Sequence, residues 1–192
     1  MALDVVILGP PGAGKGTQAQ RISADTGVPH IATGDMLRAA IAAGTELGLE
    51  VKGIVDRGDL VPDALMIELI RARLEEDDTT DGFVLDGFPR TLAQAEALDR
   101  MLAEVGRGVS AVLNFQLPDE IAERRLLGRA VEQARSDDSP EVIRRRIEGQ
   151  RVPESLSEYY RAQGILVGIH AELSVEQVYA EVLKVLEAAV AR

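Results

Sequence analysis

The sequence predicts an α/β fold of three layers, a parallel five-stranded sheet with helices on both faces. Three observations carry that expectation. Short apolar runs rich in β-branched residues recur along the chain, and stretches of helical periodicity separate them, the order that right-handed strand–helix–strand crossovers require. The first of these runs ends in a glycine-rich loop. The apolar share is 46%, yet with three Phe, three Tyr and no Trp the core must be assembled from Leu, Val, Ile and Ala, which suits helices packed on a parallel sheet.

Residues 3–8 form an apolar run halted by Gly9-Pro-Pro-Gly12, as a buried strand feeding a loop does. Helical pattern follows over 15–24, and Pro29-His30-Ile31-Ala32 reads as a short second strand. Two helical stretches flank 44–48; a third, over 63–76, carries Leu65, Ile67, Leu69, Ile70 and Leu74 near helical spacing. Residues 82–86 are the third strand, followed by a helix over 91–104. Residues 111–117 are the fourth, after which Pro118-Asp119-Glu120 opens a helix reaching about Arg129. Ser139-Pro140-Glu141 is a helix start, an N-cap and then proline in the first turn. Residues 165–169 supply the last strand, and Ser174-Val-Glu-Gln177 is a capping box opening the terminal helix. Repeats are absent, and 192 residues suit one domain that buries about 70% of the surface its unfolded chain exposes.

Composition excludes several classes. There is no Cys, which removes disulfides, thiolate zinc sites and cysteine nucleophiles and favours a reducing compartment. The amino terminus has no basic n-region or cleavage site, and no apolar run approaches the ~20 residues of a membrane helix. A cytoplasmic location is expected. The net charge of -11 argues against a nucleic-acid surface, which needs clustered Lys and Arg. Any phosphate must therefore be bound in a local pocket.

Gly9-Pro-Pro-Gly12-Ala-Gly14-Lys15-Gly16-Thr17 lies between the first strand and the first helix, the context of a phosphate-binding P-loop. Glycines let the backbone turn its N–H groups toward anionic oxygens, and the following helix N-terminus adds a favourable dipole. Lys15 is placed to reach the β- and γ-phosphates. In the general motif Ser or Thr follows the lysine; here Gly16 intervenes and the hydroxyl comes at Thr17.

This loop resembles that of the nucleoside monophosphate kinases, and three further segments agree in order and spacing: Ala32-Thr33-Gly34-Asp35-Met36-Leu37-Arg38, Asp59-Leu60-Val61-Pro62-Asp63, and Gly82-Phe-Val-Leu-Asp86-Gly87-Phe88-Pro89-Arg90. Within that group the chain is most similar to the adenylate kinases, because Thr33 precedes Gly34 where the pyrimidine monophosphate kinases usually have Ala. The resemblance covers nearly the whole chain and implies a P-loop core with an inserted AMP-binding segment over about 32–61 and a short lid over about 128–138. The activity implied is reversible, Mg2+-dependent phosphoryl transfer from ATP to AMP giving two ADP. UMP/CMP kinase and a catalytically silent nucleotide-binding module are the alternatives.

Site residues follow from the same resemblance. Gly12, Ala13, Gly14, Lys15, Gly16, Thr17, Arg129 and Leu173 are expected at ATP. Thr33, Gly34, Arg38, Asp59, Leu60, Val61, Gly87, Phe88, Pro89, Arg90, Gln94, Arg135 and Arg146 are expected at AMP. Lys15, Arg90, Arg125, Arg135 and Arg146 are implied at the transferred group, and Asp86 would hold Mg2+ through water. The residue types fit: arginine forks grip phosphate, and the Gln94 amide offers a donor and an acceptor to an adenine edge. Thr91-Leu-Ala-Gln94 also reads as a capping box, which would leave Gln94 a purely structural task.

Arg124, Arg144 and Arg145 fall on variable positions and read as a salt-bridged helix surface. Asp137 and Asp138 match lid carboxylates. Only five residues separate Arg129 from Arg135, too few for a zinc-bearing or β-hairpin lid, so no structural zinc is expected. Two departures stand out: His170-Ala171-Glu172-Leu173 replaces the family's Asp-Gly near the last strand, and Pro153-Glu154-Ser155-Leu156 replaces its Thr-x-Pro-Leu. His30 and His170 read as structural or exposed. The expected partners are ATP, AMP and ADP, with no nucleic acid polymer, no membrane and a monomeric chain.

Overall fold

The computed structural model describes residues 2–133 and 139–191. Along the chain lie β1 (Leu3–Leu8), α1 (Lys15–Thr26), β2 (His30–Ala32), α2 (Thr33–Ala43), α3 (Glu46–Asp56), α4 (Asp63–Leu74) and β3 (Gly82–Asp86). Then follow α5 (Leu92–Glu104), β4 (Ala111–Gln116), α6 (Asp119–Gln133), α7 (Pro140–Gly149), α8 (Glu154–Ala162), β5 (Leu166–His170) and α9 (Val175–Val190). The five strands form one sheet in the order β2-β3-β1-β4-β5, parallel throughout. Val5 of β1 lies opposite Val84 of β3 and Ala111 of β4. The expected parallel five-stranded architecture is therefore present.

Two-residue periodicity divides the core between the faces. Val5 and Ile7 pack with Ala19 and Ile22 of α1 and with Val178, Val182 and Leu186 of α9. Val6 and Leu8 point the other way, toward Met66 and Ile70 of α4, Leu98 and Leu102 of α5, and Leu156 and Tyr160 of α8. Because both faces are covered, β1 is buried on each side, which is why Val5 to Leu8 are continuously apolar rather than alternating.

The ends of the helices follow their sequence signals. Gly27 stops α1 in the left-handed conformation with its N–H on Ser23 O. Ser139 accepts from Val142 N ahead of Pro140. Ser174 and Gln177 close a full capping box on α9, each side chain accepting from the other's backbone N–H. Two elements differ from expectation. α6 runs to Gln133 rather than stopping near Arg129, since Ala-Val-Glu-Gln contains no breaker. α8 was not expected at all: it has nine residues, mostly polar, and its register is set by burial of Leu156, Ser157 and Tyr160.

At the N-terminal edge of the sheet, Asp4 is buried and gripped at both oxygens by Arg107, with Nε–Oδ2 at 3.0 Å. Arg107 also donates to Thr79 O at 2.8 Å and lies over the Phe83 ring. Burial pushes the Asp4 carboxyl above its usual value despite the guanidinium beside it. No helix among the described residues is long and apolar enough to cross a membrane.

The chain leaves β1 toward β2 and leaves β3 toward β4, on the opposite side of the sheet. The carboxyl ends of the adjacent strands β1 and β3 therefore flank a crevice, the usual ligand position in open α/β sheets.

Candidate active site

The loop between β1 and α1 fills one side of this crevice. Gly12 has φ +82, and a Cβ there would stand 2.9 Å from Ala122 O of α6, so the loop passes too close to that helix for any side chain. Lys15 opens α1 and folds back over the loop, its Nζ donating to Gly9 O at 3.0 Å and Pro10 O at 2.8 Å. Burial pulls its ammonium down to a pKa of about 8; Asp86 opposes the shift, while Arg90, Arg146 and Arg129 reinforce it.

Asp86 stands at the carboxyl end of β3 beside the loop, close enough that a Cβ on Gly16 would lie 3.5 Å from its Oδ2. Burial pushes its carboxyl up, but His30, Lys15 and Arg90 outweigh burial and hold it below the usual range. His30 Nε2 is 3.8 Å from Asp86 Oδ2, beyond hydrogen-bond reach. Burial also lowers the Arg90 pKa, with Asp86 opposing.

A cleft of about 350 Å³ opens above these groups. Lys15, Arg38, Arg90, Arg125, Arg129 and Arg146 line it, against the carboxylates Asp35 and Asp86, together with Gly12, Gly14, Gly16, Thr17, Gly34 and Gly87. Six of the 21 Lys and Arg residues of this acidic chain thus meet at one cleft. Arg125 Nη1 donates to Ala171 O at 2.8 Å, tying α6 to the turn after β5. Arg38 pairs with Asp35 at 2.6 Å.

A second pocket of about 90 Å³ adjoins the cleft and shares Gly34, Arg38, Gly87, Arg90 and Arg146 with it. Its remaining wall includes Thr33, Asp59, Leu60, Val61 and Gln94. Gly87 has φ +93 and Thr33 Oγ1 lies where its Cβ would be, at 2.3 Å, so a glycine is required where Thr33 crosses β3. Thr33 Oγ1 donates to Asp86 O at 3.2 Å, and Arg90 Nε donates to Gly87 O at 2.9 Å. These bonds aim the two arginine-bearing segments at the shared wall.

Gln94 is buried and does not close a capping box. Its backbone N–H donates to Thr91 Oγ1, but its side-chain oxygen accepts from Arg90 N at 2.7 Å and its nitrogen donates to Asp63 Oδ1 at 2.8 Å.

Some expected residues lie elsewhere. Phe88 is wholly buried in the core, Ala13 packs inward beneath the loop, and Pro89 lines a small void under Leu60 and Arg90. Leu173 is partly exposed and borders neither cavity. Arg135, Asp137 and Asp138 lie outside the described residues. Arg144 pairs with Glu123 as a surface residue would. Arg145, likewise an exposed residue in an ion pair as expected of that surface, reaches Asp59 at 2.7 Å.

Sequence reasoning missed Leu37, Val55, Met66 and Gln150 in the second pocket and Gln20 and His30 in the cleft. The apolar ones carry no signal distinguishing them from helix core. Gln150 shows its task only in three dimensions, donating to Gly58 O at 2.7 Å.

A family model described as adenylate kinase matches residues 7–165. A protein named adenylate kinase from Leptospira biflexa serovar Patoc is 47% identical over 181 residues, covering 94% of this chain and 97% of its own. Others of that name from Methylorubrum populi and Phenylobacterium zucineum are each 46% identical over 190 residues, covering 95% and 98% of this chain and 95% and 100% of their own. The match spans the phosphate loop, both cavities and most of the sheet, and the chain belongs to the adenylate kinase family.

Proposed function

We infer that this chain is an ATP:AMP phosphotransferase, moving the γ-phosphoryl group of ATP to AMP to give two ADP, and back. The observation that carries this reading is the shared wall: two adjoining cavities, one on the phosphate loop and one ending at an amide, meet at Arg38, Arg90 and Arg146. A simple NTPase has no use for the second cavity. Thr33 and Gln94 favour AMP over the pyrimidine monophosphates, and the cations of the cleft argue against a silent module.

An AMP phosphate oxygen is already ionised near neutral pH, so no general base is needed. The chain's work is electrostatic and geometric. Lys15 and the loop N–H groups would hold the ATP phosphates, Arg38 the AMP phosphate, and Arg90, Arg125 and Arg146 the group in transit. Arg129 and Thr17 would bind on the ATP side, with Arg135 joining from the lid. Asp86 fits a carboxylate that holds Mg2+ through water: it is kept ionised, faces the cleft and sits beside the loop. When bound with ATP, that ion supplies charge neutralisation at the phosphates.

Water competes with AMP as acceptor, so the segment over about 32–61 and the lid over about 128–138 would close to exclude it. The chain's lack of cysteine supports a reducing, cytoplasmic setting.

A coupled assay for ADP from ATP plus AMP tests the reading. Wild type is expected to turn over both nucleotides and to prefer AMP to UMP and CMP. Arg90→Ala should lose about 10^3-fold or more in kcat with its fold intact. Near-normal turnover would remove Arg90 from the reaction, and phosphate release without AMP would favour the NTPase.

A further inference from the structure

Gln94 offers the second pocket an amide, and an amide alone is ambiguous. Adenine presents an acceptor at N1 and a donor at its 6-amino group, whereas hypoxanthine and guanine present a donor at N1 and an acceptor at O6. A freely turning glutamine pairs with either edge by flipping its oxygen and nitrogen. Here the flip is blocked. Arg90 N can only donate, and it meets the amide oxygen at 2.7 Å; the Asp63 carboxylate can only accept, and it meets the amide nitrogen at 2.8 Å. Asp63 is itself fixed through its other oxygen, which accepts from Thr91 Oγ1 at 2.8 Å. The reversed amide would set oxygen against carboxylate and N–H against N–H.

Each amide atom keeps one bonding position, a second N–H and a second lone pair, in a side chain that lines the pocket. We propose that Asp63, held by Thr91, is a specificity-determining positioning residue that locks Gln94 in the one orientation complementary to a 6-aminopurine, so that the acceptor site rejects 6-oxopurine monophosphates. This rests on the second pocket being the AMP site. Asp63 also begins α4 and ties it to α5, so a purely structural role is the competing account.

The probe is IMP, which differs from AMP at that edge. Wild-type turnover of AMP tests the site assignment itself; the ratio of kcat/KM for AMP to that for IMP tests the lock. Wild type is expected to favour AMP by about a hundredfold or more. In Asp63→Asn the new side-chain amide can turn to meet either face of Gln94, removing one of the two conflicts. The ratio should fall by roughly tenfold, mainly through a higher KM for AMP and a lower KM for IMP.

Both substrates see the same folded fraction, so the ratio is insensitive to lost stability. Should Asp63→Asn give no soluble enzyme, Thr91→Ala, which frees the carboxylate's other oxygen, should lower the ratio in the same direction. An unchanged ratio with equal losses on both substrates overturns the proposal in favour of a helix tie. So does a wild type that accepts IMP as readily as AMP.

Discussion

Lys15 sits where burial and like charges pull its pKa to about 8, and this sets a pH dependence. In the free enzyme the ammonium needed for phosphate is lost as pH rises through about 8, so kcat/KM for ATP should decline there. At saturating ATP the bound phosphates favour the charged lysine, so kcat should hold to higher pH. Between about 8 and the ordinary lysine value of 10.5 the unfolded chain carries more protons at this site than the folded one, so the lysine's contribution to stability rises with pH. Activity falling while thermal stability does not would separate this from alkaline unfolding; parallel declines of kcat and kcat/KM would refute it. At this scale Lys15, Arg38 and Arg90 were legible because their motifs fix both residue type and place in the fold, whereas Arg146 came only with the resemblance. Orientation was not: that Phe88 turns into the core, or that the Gln94 amide bonds to Asp63 instead of closing a capping box, depends on packing between segments far apart in sequence.

Elements announce themselves by their ends. The capping box on α9 satisfies two backbone groups at once, and Ser174→Ala should cost about 1 kcal/mol, a fall of roughly 2–4 °C in a chain of this size. Thermal unfolding followed by circular dichroism checks it, and no shift would mean that the exposed cap contributes nothing. Arg107 binds the start of β1 to the 3-10 turn Asp77–Thr79 that precedes β3. Arg107→Ala leaves the Asp4 carboxyl buried without its partner and should cost about 3–5 kcal/mol without changing the KM for either nucleotide. An effect below about 1 kcal/mol would show that water reaches Asp4 readily. Strong caps and long apolar runs made most elements readable. α8 escaped because its amphipathic face rests on Leu156 and Tyr160 within nine residues, too short a stretch for periodicity to rise above its polar composition.

For the molecule as a whole, the separation of charge was only half readable. The net charge of -11 said that cations must be concentrated if phosphate is bound; that Lys15 and five arginines line one cleft is a property of the fold. Closure is the matching expectation for motion. Because the chain has no Cys, Leu49→Cys on α3 and Val190→Cys at the end of α9 would accept a donor–acceptor dye pair cleanly, and both positions are well exposed. A bisubstrate analogue joining ATP and AMP should change the transfer efficiency between them. Unchanged efficiency, with binding confirmed by titration, would mean that the 32–61 segment stays fixed.

The central place of β1 bears on how the polypeptide is made. Its neighbours are β3 and β4, and Leu3 meets Gly82 in the finished sheet. While the ribosome is still reading the intervening codons, the first strand has no strand to pair with. At about 5–20 residues per second that is a wait of several seconds with a sticky, β-prone hexamer uncovered. Until β3 and β4 have been made, the backbone groups along both edges of this strand have no ladder partners, so synthesis is a stage at which the chain is open to aggregation.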